Sequence, residues 1–133
     1  GWYAAGGLYC PEELGGLSVT RFAEAVAAEG SVCRPGVNKP LHLHPLFNTC
    51  DIYGHGKPTR IAHSTRDLRQ PPGSLPVAEN IGARTFGIPQ FKRYNPDVIA
   101  QHAAAYRNVA ENHQTLLEED PGNPPDLCTW GLP

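Results

Sequence analysis

Fourteen glycines and fourteen prolines in 133 residues restrict this chain to short regular elements separated by many turns. Proline removes a backbone donor and glycine gives up rigidity, so neither extends a helix or a central strand without loss. Three windows escape this punctuation well enough to be predicted as helices. The first begins near Ser18, whose hydroxyl is placed to cap the free N–H groups of the opening turn. Val19, Phe22, Ala23 and Val26 recur at helical spacing behind it, and Gly30 suits the left-handed position that ends a helix. A second window starts just after Pro76, with Val77, Ile81 and Arg84 on successive turns, and is weakened by Gly82. The third is the clearest. Asn95 is a good cap, Pro96 fits the first helical position and Asp97 complements the helix dipole. Ile99, Ala103, Tyr106, Ala110 and Leu117 then recur at three- and four-residue steps, with His113 on the same face, so this helix is expected to reach about Leu117. Glu118, Glu119 and Asp120 would oppose the negative end of its dipole and belong outside it.

Between these windows, residues 2–9, 31–34 and 85–94 read as extended, the first bent at Gly6-Gly7 and the last interrupted by Pro89. Strand, helix, strand, long loop, helix, extended segment, helix is an α+β order. A small antiparallel sheet with helices packed on one side satisfies it. One domain over residues 1–120 is expected, followed by an irregular Pro-rich tail over 121–133, pinned if anywhere by Leu127 and Trp130.

A formal charge of −2 offers no electrostatic case for nucleic acid or a membrane surface, and no apolar run approaches the roughly 18 residues that span a bilayer. Gly1-Trp2-Tyr3 has neither the basic region nor the apolar stretch of a secretory leader. Cys10, Cys33, Cys50 and Cys128 are widely spaced and form no CxxC pair, so free structural thiols in a cytoplasmic chain are expected, with a two-disulfide secreted protein as the alternative.

Residues 37–74 lack periodicity, and a connection of that length is usually functional or disordered. It opens with Pro40-Leu41-His42-Leu43-His44-Pro45-Leu46-Phe47. With Gly16-Leu17-Ser18-Val19-Thr20-Arg21-Phe22, Glu29-Gly30, Leu75-Pro76-Val77-Ala78-Glu79, Gly87-Ile88-Pro89, Phe91-Lys92-Arg93-Tyr94 and the helix from Pro96, this segment resembles the C-terminal small domain of the DegT/DnrJ/StrS family of aminotransferases. The family's Pro-Leu-His-x-x-Pro-x-Phe signature is the most specific part. The likeness covers about residues 8–117. Residues 51–60 look like a subgroup insertion, and the tail after Asp120 has no counterpart.

The resemblance implies the small domain of a fold-type-I, pyridoxal-phosphate-dependent transaminase that works as a dimer on a keto-sugar or keto-cyclitol. Such an enzyme needs a lysine for the Schiff base, an acidic partner for the pyridine nitrogen and a backbone cradle for the phosphate. Lys39, Lys57 and Lys92 are the lysines here, and none lies in the family's lysine-bearing motif. No catalytic or cofactor-binding residue is therefore assigned to this chain, which is expected to bind no cofactor alone.

Substrate contacts, made only beside a large domain, are assigned to His42, His44, Tyr53, Arg60 and Arg66. The histidines lie in the segment that the resemblance puts near the active-site entrance. The arginines belong to a basic cluster with Lys57 and Arg69, where guanidinium forks can grip a carboxylate or phosphate or simply face solvent. His42, His44, His55 and His63 with Cys50 and Asp51 also raise the question of zinc, but their spacing fits no common zinc pattern, and no metal is assigned. His102 and His113 are read as structural. Three hypotheses follow: an isolated or truncated small domain, a subunit that completes a pyridoxal-phosphate site with a separate large-domain chain, or a binding or assembly protein that reuses the fold. Self-association to a dimer is an expected property, because a small domain parted from its large domain keeps a face made to be covered.

Overall fold

Four aromatic rings organise the centre of the molecule. In a computed structural model, which describes residues 4–130, Phe22 and Phe86 pack 6.1 Å apart, with Tyr9 and Tyr106 at 5.3 and 6.1 Å from Phe22. Tilted and edge contacts of this kind suit the positive rim and negative face of each ring. Tyr9 is nearly sealed from water, and its hydroxyl donates to the Leu17 carbonyl at 2.8 Å, which satisfies the one polar atom it buries.

The rings belong to a three-stranded antiparallel sheet and the helices laid on it. β1 (Gly6–Leu8), β2 (Arg34–Pro35) and β3 (Thr85–Gly87) are arranged in the order β1-β3-β2. Gly7 and Pro35 both pair with Phe86, so these three share a face. Gly7 is required there, because any side chain would run into the Phe86 ring. Pro35 lies inside β2 rather than stopping a strand at Arg34, which is possible because β2 is an edge strand. The expected strand segments shorten to these three cores; residues 2 and 3 fall outside the described region.

α1 (Val19–Ala28) forms as its pattern predicts. Ser18 Oγ accepts from the Arg21 N–H, Val19, Phe22, Ala23 and Val26 are buried, and Gly30 follows at φ 82°. α4 (Pro96–Glu111) packs against α1, capped by Asn95, whose side chain accepts from the Val98 N–H. It stops at Glu111 instead of continuing to Leu117. Asn112 turns its amide back onto the Asn108 carbonyl, and a 3-10 turn over His113–Leu116 brings Leu116 and Leu117 against the core. The buried stripe is Ala105 and Val109, flanked by Tyr106 and Ala110, while Ala103 faces solvent. Ala105 and Val109 replace Ile99 and Ala103 at the centre of the predicted face.

The long connection is ordered as a string of single turns. α2 (Pro45–Asn48) is one turn, and α3 (Pro76–Asn80) breaks into a 3-10 turn over Ile81–Arg84 in place of a longer helix. Gly82 is buried in that turn against the Cys128 thiol, where a Cβ would collide. The fold is thus α+β, with four helices and a small antiparallel sheet. All four cysteines are free. Among the described residues no helix is long and apolar enough to cross a membrane.

The tail is irregular but anchored. Asp120 accepts from the backbone N–H and the hydroxyl of Ser18, and Asn123 Oδ1 accepts from the backbone N–H and hydroxyl of Thr20. Leu127 packs on the core, Thr129 accepts from the Lys39 N–H at 3.0 Å, and Trp130 lies on His44. Leu127 and Trp130 hold the tail, joined by Asn123 and Thr129 and, just before it, by Asp120.

Candidate functional site

Segment 40–48 sits where the long connection meets α3 and the tail. A 3-10 turn over Leu41–Leu43 separates its two histidines in direction, so they do not project together as they would from a strand. His42 is buried. Its Nε2 lies 3.0 Å from Glu79 Oε1, and Glu79 also accepts from the N–H groups of Gly73 at 2.6 Å and Leu75 at 3.0 Å. Those backbone donors, with His42 adding to them, hold the Glu79 carboxyl below the usual carboxylate range. The pair therefore fastens the Pro40–Phe47 segment to the start of α3. Its two members lie 37 residues apart in sequence.

His44 takes a different direction. Its Nδ1 accepts from the Leu46 N–H at 3.0 Å, capping α2, and its ring meets the Trp130 indole edge-on with centroids 4.5 Å apart. Asn48 ties the two histidines at the backbone, donating to the carbonyls of His42 at 2.7 Å and His44 at 3.0 Å. Asn48 and Glu79 organise this corner although the sequence reading assigned them no role.

The other three candidates lie farther along the long connection, Tyr53 and Arg60 within residues 51–60 and Arg66 beyond them. Tyr53 is half exposed and clusters with His55 and His63, its ring 6.0 and 5.0 Å from theirs. Asp51 closes the turn beneath it, accepting from the N–H groups of His55 and Gly56. Desolvation pushes the Asp51 carboxyl up, but these turn N–H groups outweigh it and hold the carboxyl below its ordinary value. Arg60 is spent on its own loop: Nε donates to the Leu68 carbonyl at 3.0 Å and Nη2 to Gln70 at 3.2 Å. Arg66 is exposed, and its side chain makes no hydrogen bond to another described residue. Arg69 is closed by Asp67 and the Asn48 carbonyl. Of the basic cluster, Arg66 and Lys57 thus remain directed to solvent, whereas Arg60 and Arg69 brace the loop. His42 and His44 share one segment, tied at the backbone by Asn48 with their rings directed apart, and Tyr53 belongs to a separate cluster.

No group of three or more potential metal-ligating side chains comes together among the described residues. Ser31 Oγ lies 2.8 Å from His102 Nδ1, the spacing of a nucleophile and its base. Ser31 is buried, and no acid orients the far nitrogen of His102 among the described residues, so this bond serves as a tie between the end of α1 and α4.

A cleft of about 600 Å3 runs beside the sheet, bordered by Gly6, Arg34, Val37, Gly87, Ile88 and Leu127. Lys39, Lys57 and Lys92 are not among its lining residues, although Lys39 follows Asn38 and donates its backbone N–H to Thr129, both of which line it. Compared with known proteins, the chain matches no family model, and no curated protein or solved structure is similar to it.

Proposed function

We propose that this chain is the C-terminal small domain of a pyridoxal-phosphate-dependent aminotransferase acting on a keto-sugar or keto-cyclitol, and that its residues do not transfer the amino group unaided. One observation carries the reading. The buried His42–Glu79 contact joins the Pro40–Phe47 segment to the Leu75–Glu79 segment, so two separate pieces of the resemblance meet in space as parts of one device.

In this reading, segment 40–48 faces the substrate side with His44 as its polar contribution, His42 holds the segment in place, and Arg66 adds an exposed cation from the loop that follows. Lysine, pyridine partner and phosphate cradle come from a large domain, whether on the same polypeptide or on another. The small domain supplies shape and hydrogen bonds around the bound keto compound.

The test combines the chain with the lysine-bearing domain encoded beside it, adds pyridoxal phosphate, fixes the cofactor with borohydride and locates it by peptide mass spectrometry. The expected result is stoichiometric cofactor on the large domain and turnover only in the combination. Turnover by this chain alone, or stoichiometric fixation on Lys39, Lys57 or Lys92, would overturn the reading. A chain that associates with itself or another protein but never supports turnover in combination would favour a binding or assembly role.

A further inference from the structure

We propose that His44 presents its Nε2–H as an oriented hydrogen-bond donor to an acceptor oxygen of the bound molecule, and that Trp130 is the positioning residue that holds the ring. The donor role rests on the reading above; the tautomer and the indole contact do not.

The argument starts at α2. His44 precedes Pro45 with φ −65° and ψ 134°, and its Nδ1 takes the Leu46 N–H. A nitrogen that accepts a hydrogen bond through its lone pair carries no proton, so the neutral ring must carry its proton on Nε2. That nitrogen makes no hydrogen bond to any other described residue. His44 is half-buried, so its backbone is fixed while its outer nitrogen is left for a partner.

Orientation requires a second restraint, because the Nδ1 contact alone lets the ring rock about it. Trp130 supplies this restraint from the far end of the chain. Its indole stands at 65° to the imidazole at 4.5 Å, while Phe47 offers a looser edge contact at 6.2 Å. The indole is itself held, since the preceding residue pairs with Asn38 and accepts from the Lys39 N–H, and Leu127 is packed on the core. The tail that resembles nothing in the family thus ends on the segment that resembles it most.

The ligand class follows from the donor. A neutral imidazole N–H seeks an oxygen lone pair: a sugar hydroxyl, a carboxylate or a phosphate oxygen. Losing the orientation of one such donor is worth about a tenfold change in affinity at most.

The experiment is nitrogen-15 NMR of the histidine rings of the chain at neutral pH, with the Trp130→Ala and Trp130→Phe variants and an amide fingerprint of each. The expected result is a single Nε2-protonated tautomer for His44 with an indole-to-imidazole Overhauser contact. In Trp130→Ala the tautomer set by the Leu46 N–H should persist while the ring loses its fixed orientation, seen as shifted His44 ring signals and faster ring relaxation, and Trp130→Phe should restore both. An Nδ1-protonated or mixed ring in the unmodified chain would overturn the donor, and unchanged His44 signals in folded Trp130→Ala would overturn the role of Trp130. Should Trp130→Ala not fold, the Overhauser contact and the Trp130→Phe spectrum decide the same point, absence of the contact being fatal. In the enzyme assembled with its large domain, Trp130→Ala is expected to raise KM about tenfold and leave kcat within about twofold. A fall in kcat at constant KM would contradict positioning of a bound substrate. Because the ring measurement involves no cofactor, its failure is separate from a failure of the aminotransferase reading.

Discussion

The Asp120 carboxylate accepts two hydrogen bonds from Ser18, at 2.7 Å from the backbone N–H and 2.6 Å from the hydroxyl, across 102 residues of sequence. Ser18 in turn caps α1 by accepting from Arg21, so the tail acidic residue completes a relay at the positive end of the helix. Asn123 repeats the arrangement at Thr20. Three residues along the tail span two along the first turn, and two of the otherwise orphaned donors there are satisfied by the far end of the chain.

Asp120→Asn should therefore destabilise the domain by about 1–3 kcal/mol at neutral pH, read from urea unfolding. Burial pushes the Asp120 carboxyl up, but hydrogen bonds from Ser18 and Gly122, aided by the nearby Arg21 charge, prevail and leave it below its ordinary value. A group lowered on folding stabilises fully above its unfolded pKa of about 3.9, and that contribution disappears as pH falls through the lower folded value. The variant should show a shallower loss of stability over that acid range. An unchanged acid limb would mean that the clasp contributes nothing in solution.

Gly82→Ala should cost about 1–3 kcal/mol, because the added methyl meets the Cys128 sulfur. Its backbone has no positive φ, so space rather than conformation is the obstacle. Cys128→Ala in the same chain removes the offending atom and should recover most of the loss. The double-mutant cycle measures this directly: a coupling near zero would place the tail elsewhere.

Arg60 and Arg66 should behave as opposites although both were read as anion contacts. Arg60→Ala removes the donors to Leu68 and Gln70 and should speed amide exchange across residues 60–70. Arg66→Ala should leave exchange unchanged and, if the proposed aminotransferase reading holds, raise KM for an anionic substrate in the enzyme completed by a large domain. Equal exchange in the two variants would remove the distinction.

Local rules reached the parts of the fold that local residues decide. Ser18, the Val19-Phe22-Ala23-Val26 stripe and Gly30 defined α1 because cap, face and stop all lie within one window. The start of α4 was legible for the same reason, but its face was not. Alanines at 100, 103, 104, 105 and 110 make any helical stripe look plausible, and only packing against α1 decides which of them are covered. The pairing of His42 with Glu79 and the clasp at Ser18 were illegible because each depends on closure across 37 and 102 residues. The bracing role of Arg60 was illegible because its own loop supplies its acceptors, a satisfaction that charge counting does not register.

The thiols offer a final check on how closed this fold is. Cys50 is exposed, whereas Cys10, Cys33 and Cys128 are partly covered. Burial pushes the Cys33 thiol up, with the Tyr106 hydroxyl only partly opposing it. Alkylation needs both access and thiolate, so iodoacetamide at mildly alkaline pH should modify Cys50 first and Cys33 last. Peptide mass spectrometry over a time course reads the order. Because Cys50 touches the fold mainly through its carbonyl, which accepts from the Thr59 N–H and hydroxyl, the singly modified chain should keep its unfolding midpoint. In denaturant the four rates should converge. Equal rates for Cys33 and Cys50 without denaturant would mean that the junction of β2 with α4 opens freely, and that the ring cluster does not seal the core.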